Sequence, residues 1–322
     1  MNARVQLPYA APSHVSSLKR ATGAAYDQAG NDYLAYADGD ARRPFSFDSQ
    51  YAYADRRVWS VIQAKLVERR KSGAQSIRIL DAGCGPGTWL RRIVAHAHEL
   101  GFTSISARGF DIAEAQVRRA RVLSRDVAHL PGVDLSFTVG DLTEPLPEAD
   151  ASVDLGLCLY CVLNHVPAAS LADIAAEFAR VTSGHFITTV RAIGSTPTIY
   201  VDAVDKARQF QQDNGRDRCE VELRDGRCFV VDSHLFSALE LRGLIGGALD
   251  IDELRGLDIF HSRFAPDRRW NPASLVSSDQ LYQELACLEE TFSTDPNFID
   301  RATHLLLVAH RRPTRQHKSR RH

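Results

Sequence analysis

Nowhere does this chain approach the ~18 consecutive apolar residues that a membrane-spanning helix needs. It also lacks a charge of one sign: 39 Lys and Arg stand against 40 Asp and Glu, for a net charge of −1. A nucleic-acid or anionic-membrane binder carries a basic excess or stripe. Neither partner is therefore expected, and a small-molecule ligand is. The one basic cluster, Arg311, Arg312, Arg315, Lys318, Arg320 and Arg321, reads as a solvated, disordered tail over 311–322. Cysteines are few and poorly paired. Cys158 and Cys161 form a C-x-x-C, but Cys219, Cys228 and Cys287 supply no second pair, so neither a zinc site nor a disulfide framework is expected. The opening residues Met1–Arg4 have no apolar run of the secretory kind, and the expectation is a cytoplasmic protein with reduced thiols. No internal repeat is visible.

What is present is an ordinary globular composition, 44% hydrophobic and 25% charged, on a chain long enough for one core plus additions. Its most informative stretch is Ile77–Thr88. An apolar strand containing Ile77, Ile79 and Leu80 runs into Asp81, and Gly83, Gly85 and Gly87 follow at alternate positions. Glycines let the backbone turn tightly and approach a ligand. The amphipathic helix that follows, with Trp89, Leu90, Ile93 and Val94, turns its N-terminal N–H groups the same way. The spacing is Gly-x-Gly-x-Gly, whereas a dinucleotide fingerprint needs Gly-x-Gly-x-x-Gly; Thr88 stands where that third glycine would be. Three further strands end in informative residues. Strand 104–110 is followed by Asp111 and then a helix over 113–123, and strand 133–139 runs into Gly140-Asp141-Leu142. Strand 153–159 continues into Tyr160-Cys161-Val162-Leu163-Asn164-His165. The carboxyl ends of successive parallel strands are where open α/β sheets bind ligands.

This order of motifs resembles the class I S-adenosylmethionine-dependent methyltransferases, small-molecule type. The resemblance implies S-adenosylmethionine as cofactor, bound by Asp81, Gly83, Cys84, Gly85, Gly87, Asp111, Ile112, Asp141, Leu142 and Leu159. Asp81 would lie near the methionine amine, Asp111 would accept the ribose hydroxyls and Asp141 the adenine amino group. The backbone at Leu159 would accept from the methionine ammonium. No metal is implied. His165, after strand four, is the first candidate for a general base, with Tyr160 and Asn164 orienting the acceptor. His234, His261 and Arg263 are candidates for holding an acidic substrate. The resemblance implies methyl transfer to oxygen, nitrogen or carbon of a metabolite, in the style of bacterial secondary metabolism. An alternative on the same fold is a cyclase that converts S-adenosylmethionine to azetidine-2-carboxylate and methylthioadenosine. The Asn/Asp-Pro-Pro-Tyr motif of amino-directed DNA enzymes is absent, since Tyr160-Cys161-Val162-Leu163 stands in its place.

The expected architecture is α/β, a doubly wound, mostly parallel seven-stranded sheet with an N-terminal helical cap and an inserted helix and β-hairpin. Residues 1–72 form the cap, with a helix over 49–71 on the period of Tyr53, Val58, Ile62 and Leu66. Dense tyrosines (Tyr26, Tyr33, Tyr36, Tyr51 and Tyr53) fit either a lid or simple packing on the sheet. The core occupies 73–192, and an insertion over 193–251 carries a helix over 199–212, a hairpin around Arg224-Asp225-Gly226 and a helix over 234–245. The sheet resumes over 252–310 with strands at 254–264 and 303–309 and a helix over 278–292.

Overall fold

The structure, a computed structural model, describes residues 23, 52–195, 207–223, 226–261 and 280–312. Tyr26, Tyr33, Tyr36, Tyr51, Arg263, the 199–206 half of the expected helix, the Arg224-Asp225 turn and most of the basic tail lie outside them. Helix α1 (Ala52–Lys71) is followed by β1 (Ser76–Ala82), α2 (Thr88–Glu99), β2 (Ser104–Asp111), α3 (Glu114–Leu123), β3 (Val133–Val139) and β4 (Val153–Cys158). Next come α4 (Leu171–Val181), β5 (Thr182–Arg191), β6 (Ala207–Asp213), β7 (Arg218–Leu223), β8 (Cys228–Asp232) and α5 (Ala238–Gly246). The described chain closes with β9 (Asp250–Leu257), α6 (Gln280–Phe292) and β10 (His304–His310).

Seven strands form one sheet in the order β3-β2-β1-β4-β5-β10-β9. The first five are parallel, and β10 inserts antiparallel between β5 and β9. Both faces are covered, as parallel sheets require. On one side lie α1, α2 and α3, where Val58, Trp59, Ile62 and Leu66 of α1 are fully buried; each such side chain contributes about 1.5–3 kcal/mol of burial. On the other lie α4 and α5, through Ile174, Phe178, Leu241 and Ile245. The expected sheet is thus the observed one, and α1 follows the expected period.

The insertion differs from expectation in one element. Residues 207–213, read as the end of a helix, are strand β6, which pairs with β7 and through it β8 in a separate antiparallel sheet. Hydrogen-bonding to a neighbouring strand overrides the local helical period here. Helix α5 begins at Ala238, later than expected, because Ser237 caps it: its Oγ accepts from the Glu240 N–H at 3.2 Å. Strand β9 ends at Leu257, since Asp258 has φ +56° and turns the chain out of the sheet. Among the described residues, no helix is long and apolar enough to cross a membrane, and no group of three His, Cys, Asp or Glu could hold a metal ion.

Candidate active site

The loop from β1 to α2 is built by its glycines. Gly83, Gly85 and Gly87 all have positive φ (75°, 51° and 79°). A Cβ on Gly83 would strike Val162 at 2.3 Å, and one on Gly87 would press the Phe137 ring at 3.0 Å. Gly85 differs: among the described residues nothing lies within 4 Å of where its Cβ would be, so on their side this glycine faces open space. The loop is pinned from β2. The Gly83 and Cys84 N–H groups donate to the Phe110 carbonyl at 2.8 and 2.9 Å. The Asp111 carboxylate accepts from Gly85 N–H and from Ala113 N–H, each at 2.8 Å. The Asp111 carbonyl in turn accepts from Gly140 N–H at 3.0 Å, which ties in the end of β3. There Asp141 Oδ1 accepts from the N–H and hydroxyl of Thr143, and Leu142 is buried. Asp81 is 2% exposed; burial, then the Asp111 charge, push its pKa up to about 7. Asp81, Gly83, Cys84, Gly85, Gly87, Asp111, Asp141 and Leu142 therefore converge on one edge of the sheet. Ile112 joins them, and the buried Gly23 packs on it, its Cβ position 3.7 Å from the Ile112 carbonyl.

The segment after β4 makes a sharper turn. Leu159 is buried at the strand's end, and Tyr160 and Cys161 both have positive φ (51° and 71°), strain that non-glycine residues adopt at a cost of order 1–3 kcal/mol each. Thr189 on β5 holds the turn: its Oγ1 accepts from Tyr160 N–H at 2.6 Å and its carbonyl from Cys161 N–H at 3.3 Å. The Tyr160 ring stacks 5.8 Å from Trp89 and meets the His304 ring edge-on at 5.7 Å. Its hydroxyl donates to Asp55 in the first turn of α1.

Asn164 and His165, expected near the acceptor, are occupied elsewhere. Asn164 is fully buried; its side chain donates to the Arg191 and His234 carbonyls and accepts from Arg191 N–H, fastening β5 to the segment before α5. His165 Nδ1 lies 2.6 Å from the Asp232 carbonyl at the end of β8, where the nitrogen must donate, and burial lowers its pKa to about 4. Both are structural ties between the core and the small sheet. The candidates for an acidic substrate fare no better. His234 is gripped by Asp217 at 2.8 Å and Glu240 at 2.7 Å, so its charge is already matched. His261 is buried and held uncharged, its pKa lowered to about 4 by burial and by Arg56.

Residues missed in the sequence sit at the β10–β9 end of the same edge. His304 opens β10 and pairs with both Arg191 and Leu257, so an antiparallel strand delivers it to the edge where parallel strands finish. Asp258 follows directly. The Glu289 carboxylate on α6 accepts from the N–H groups of Ile259, Phe260 and His261 at 3.1, 2.7 and 2.9 Å, shaping the loop beyond β9. An acid after a strand was the available signal for Asp258. It was hidden because Ile259 and Phe260 prolong the apolar pattern.

In a seven-stranded open α/β sheet of this order, with a glycine loop and an acid at the end of β2, the edge expected to take a ligand is at the carboxyl ends of β1, β2 and β4. Residues 79–184, about a third of the chain, match the family model described as a methyltransferase domain. Over that stretch the chain is similar to a methyltransferase domain, and its sheet has the strand order of the class I S-adenosylmethionine-dependent methyltransferase fold. No curated protein matches it. Among solved structures, the [4+2]-cyclase SpnF is similar over 91% of this chain and 96% of its own, at 16% identity and TM-score 0.52. The complex of DhpI with SAH is similar at 13% identity, over 93% and 99% of the two chains, with TM-score 0.49. The magnesium protoporphyrin IX methyltransferase ChlM from Synechocystis PCC 6803 is similar at 16% identity, over 91% and 100%, with TM-score 0.49.

Proposed function

We propose that this chain transfers the methyl group of S-adenosylmethionine to a small metabolite. The observation that supports the reading is Gly85, a positive-φ residue with no described atom within 4 Å of its Cβ position, whose N–H the Asp111 carboxylate holds. The cofactor supplies an already electrophilic methyl on sulfonium. What remains for the protein is binding, alignment and exclusion of water. Asp81 would face the methionine ammonium, Asp111 the ribose hydroxyls, and Asp141 with Ile112 and Leu142 the adenine. Leu159 would offer its carbonyl. On the acceptor side, Tyr160 is the residue of the original three whose polar atom stays at the edge, and it would position the acceptor together with Asp55.

A small acceptor is favoured by the first turn of α1, which closes over this edge. Asp55 holds the Tyr160 hydroxyl, and the Tyr53 ring lies 4.6 Å from the His261 ring at 10° to it. With Gly23 packed on Ile112, the segment before the core would act as a lid. The near-zero net charge supports a metabolite over nucleic acid. The test is to incubate purified protein with S-adenosylmethionine alone and then with cell extract, identifying the sulfur product by mass. S-adenosylhomocysteine that depends on extract is expected. Enzyme-dependent methylthioadenosine from cofactor alone would assign the chain to the cyclases instead.

A further inference from the structure

Asp258 is the buried group that the cofactor reading leaves unused. It is fully buried at the end of β9, and neither carboxylate oxygen makes a hydrogen bond, although the Ala54 N–H of α1 lies beside it. Burial first, then the charges of two more carboxylates, Glu289 and Asp55, push its pKa well above the usual carboxylate range, and the Ala54 N–H works the other way. A buried carboxylate without a partner is costly, and native structures retain such groups where a ligand or ion completes them. A second buried polar atom lies three residues on and is also without a partner among the described residues: Nε2 of His261, 3% exposed.

The position of Asp258 relates it to the cofactor loop through a continuous series of contacts. Leu257 pairs with His304 on β10, and the His304 ring meets Tyr160 edge-on. Tyr160 stacks on Trp89, two residues beyond Gly87, and its hydroxyl holds Asp55, whose charge acts on Asp258. The nearby cations have other work. Arg92 lies by Asp55 and donates to the Thr88 carbonyl at 3.3 Å, Arg191 acts on His304, and Arg56 donates to the Tyr282 hydroxyl at 2.5 Å. None of them forms an ion pair with Asp258. Among the described residues, the acceptor side of the edge thus gathers the acidic side chains Asp258, Asp55 and Glu289 and no cluster able to hold a metal.

We propose that Asp258, backed by Asp55, is the binding site for the protonated amino group of the methyl acceptor, so that the substrate is a small amine. An ammonium satisfies an orphaned carboxylate by both charge and hydrogen bond, and two carboxylates around one cation remove their mutual repulsion. The same contact prepares the amine for reaction. A proton passing from the ammonium nitrogen to Asp258 leaves a neutral amine with its lone pair and a neutral carboxylic acid. The term acceptor rests on the methyltransferase reading; the cation site itself does not.

The experiment uses the full chain with and without S-adenosylhomocysteine, and measures binding of methylamine, butylamine and benzylamine against methanol, butanol and benzyl alcohol by calorimetry and thermal shift. At least one amine is expected to bind tenfold or more tightly than its alcohol. Asp258→Asn should erase that preference while leaving S-adenosylhomocysteine affinity within twofold, with a Tm equal to or above the parent's. Asparagine tolerates the positive φ, so the backbone keeps its turn. Asp55→Asn, the second variant, should weaken amine binding severalfold. Absence of any amine preference in the parent, or its persistence in Asp258→Asn, overturns the proposal. If S-adenosylhomocysteine binds and amines do not, the methyltransferase reading stands alone. If amines bind through Asp258 and S-adenosylhomocysteine does not, the cation site stands and the reading falls.

Discussion

The two halves of the ligand edge are built in opposite ways. On the β1–β2–β3 side, the loops are fastened by backbone hydrogen bonds: Asp111 takes two backbone N–H groups, Phe110 two more, and Asp141 closes its own turn on Thr143. The β4–β10–β9 side stores its cost. It holds consecutive positive-φ residues at Tyr160 and Cys161, another at Asp258, and buried polar atoms without partners on Asp258 and His261. A cofactor common to many enzymes can be gripped by a backbone cradle that is complete beforehand. On the proposed reading, an acceptor particular to one enzyme is met by groups that stay unsatisfied until it arrives, which is where backbone strain gathers.

The sharpest way to break this contrast is Gly85→Val. Its side chain would fill the open space of the cradle at a positive φ, so S-adenosylhomocysteine binding should vanish from calorimetry while the circular dichroism of the fold persists. Unchanged binding would remove Gly85 from the cofactor site. A smaller effect is expected from Asp111→Ala, which frees Gly85 N–H and Ala113 N–H and should weaken binding roughly ten- to a hundredfold, at about 1–3 kcal/mol. Binding equal to the parent's would place the ribose contact elsewhere.

Asp81 offers a gentler test by pH. An ammonium prefers the ionised carboxylate, and burial and Asp111 raise this pKa to about 7. Affinity for S-adenosylhomocysteine should therefore climb with pH below about 7, by at most about tenfold per unit, and level off above it. A flat profile that Asp81→Asn leaves unaltered would remove Asp81 from the ammonium site. The smallest catalytic effect should come from His165→Ala. Losing the bond to Asp232 should cost about 1–3 kcal/mol of stability with turnover per folded molecule within about threefold of the parent. The sign can be checked by pH. His165 has a folded pKa of about 4, below the ordinary histidine value near 6.5, so the unfolded chain takes up a proton first and this residue's contribution is lost as pH falls from about 6.5 toward 4. A loss of turnover of a hundredfold or more at unchanged stability would restore His165 as a base.

The matched half was legible in the sequence because local chemistry dictates it. Alternate glycines after a strand, and acids at the ends of β1, β2 and β3, announce their backbone roles within a few residues. Apart from Tyr160 the unmatched half was not, because Asp55, Asp258, Glu289 and His304 meet only after four distant segments have folded. Each is unremarkable in its own stretch. The hydrogen bonds of Asn164 and His165 were hidden for a related reason. Standing after β4 they share the address of acceptor residues, yet the small sheet of β6, β7 and β8 arrives beside them and claims their polar atoms. That sheet was itself partly misread, since 207–213 shows no strong alternation and owes its strand form to β7.

The placement of β10 sets the order in which this sheet can be completed. β5 and β9 both border it, so the outer edge of β5 stays open and β9 has no partner strand until residues 304–310 arrive, more than forty residues after β9 ends. Until then a nearly uninterrupted apolar segment, Leu305-Leu306-Leu307-Val308-Ala309, has no sheet to enter, and two strand edges stay open to other chains. Closing so long a loop is slow, and exposed edges with an apolar strand are the ingredients of aggregation. During synthesis, the interval before β10 docks is the chain's period of greatest risk, and a chaperone that shields this one segment would protect the whole sheet.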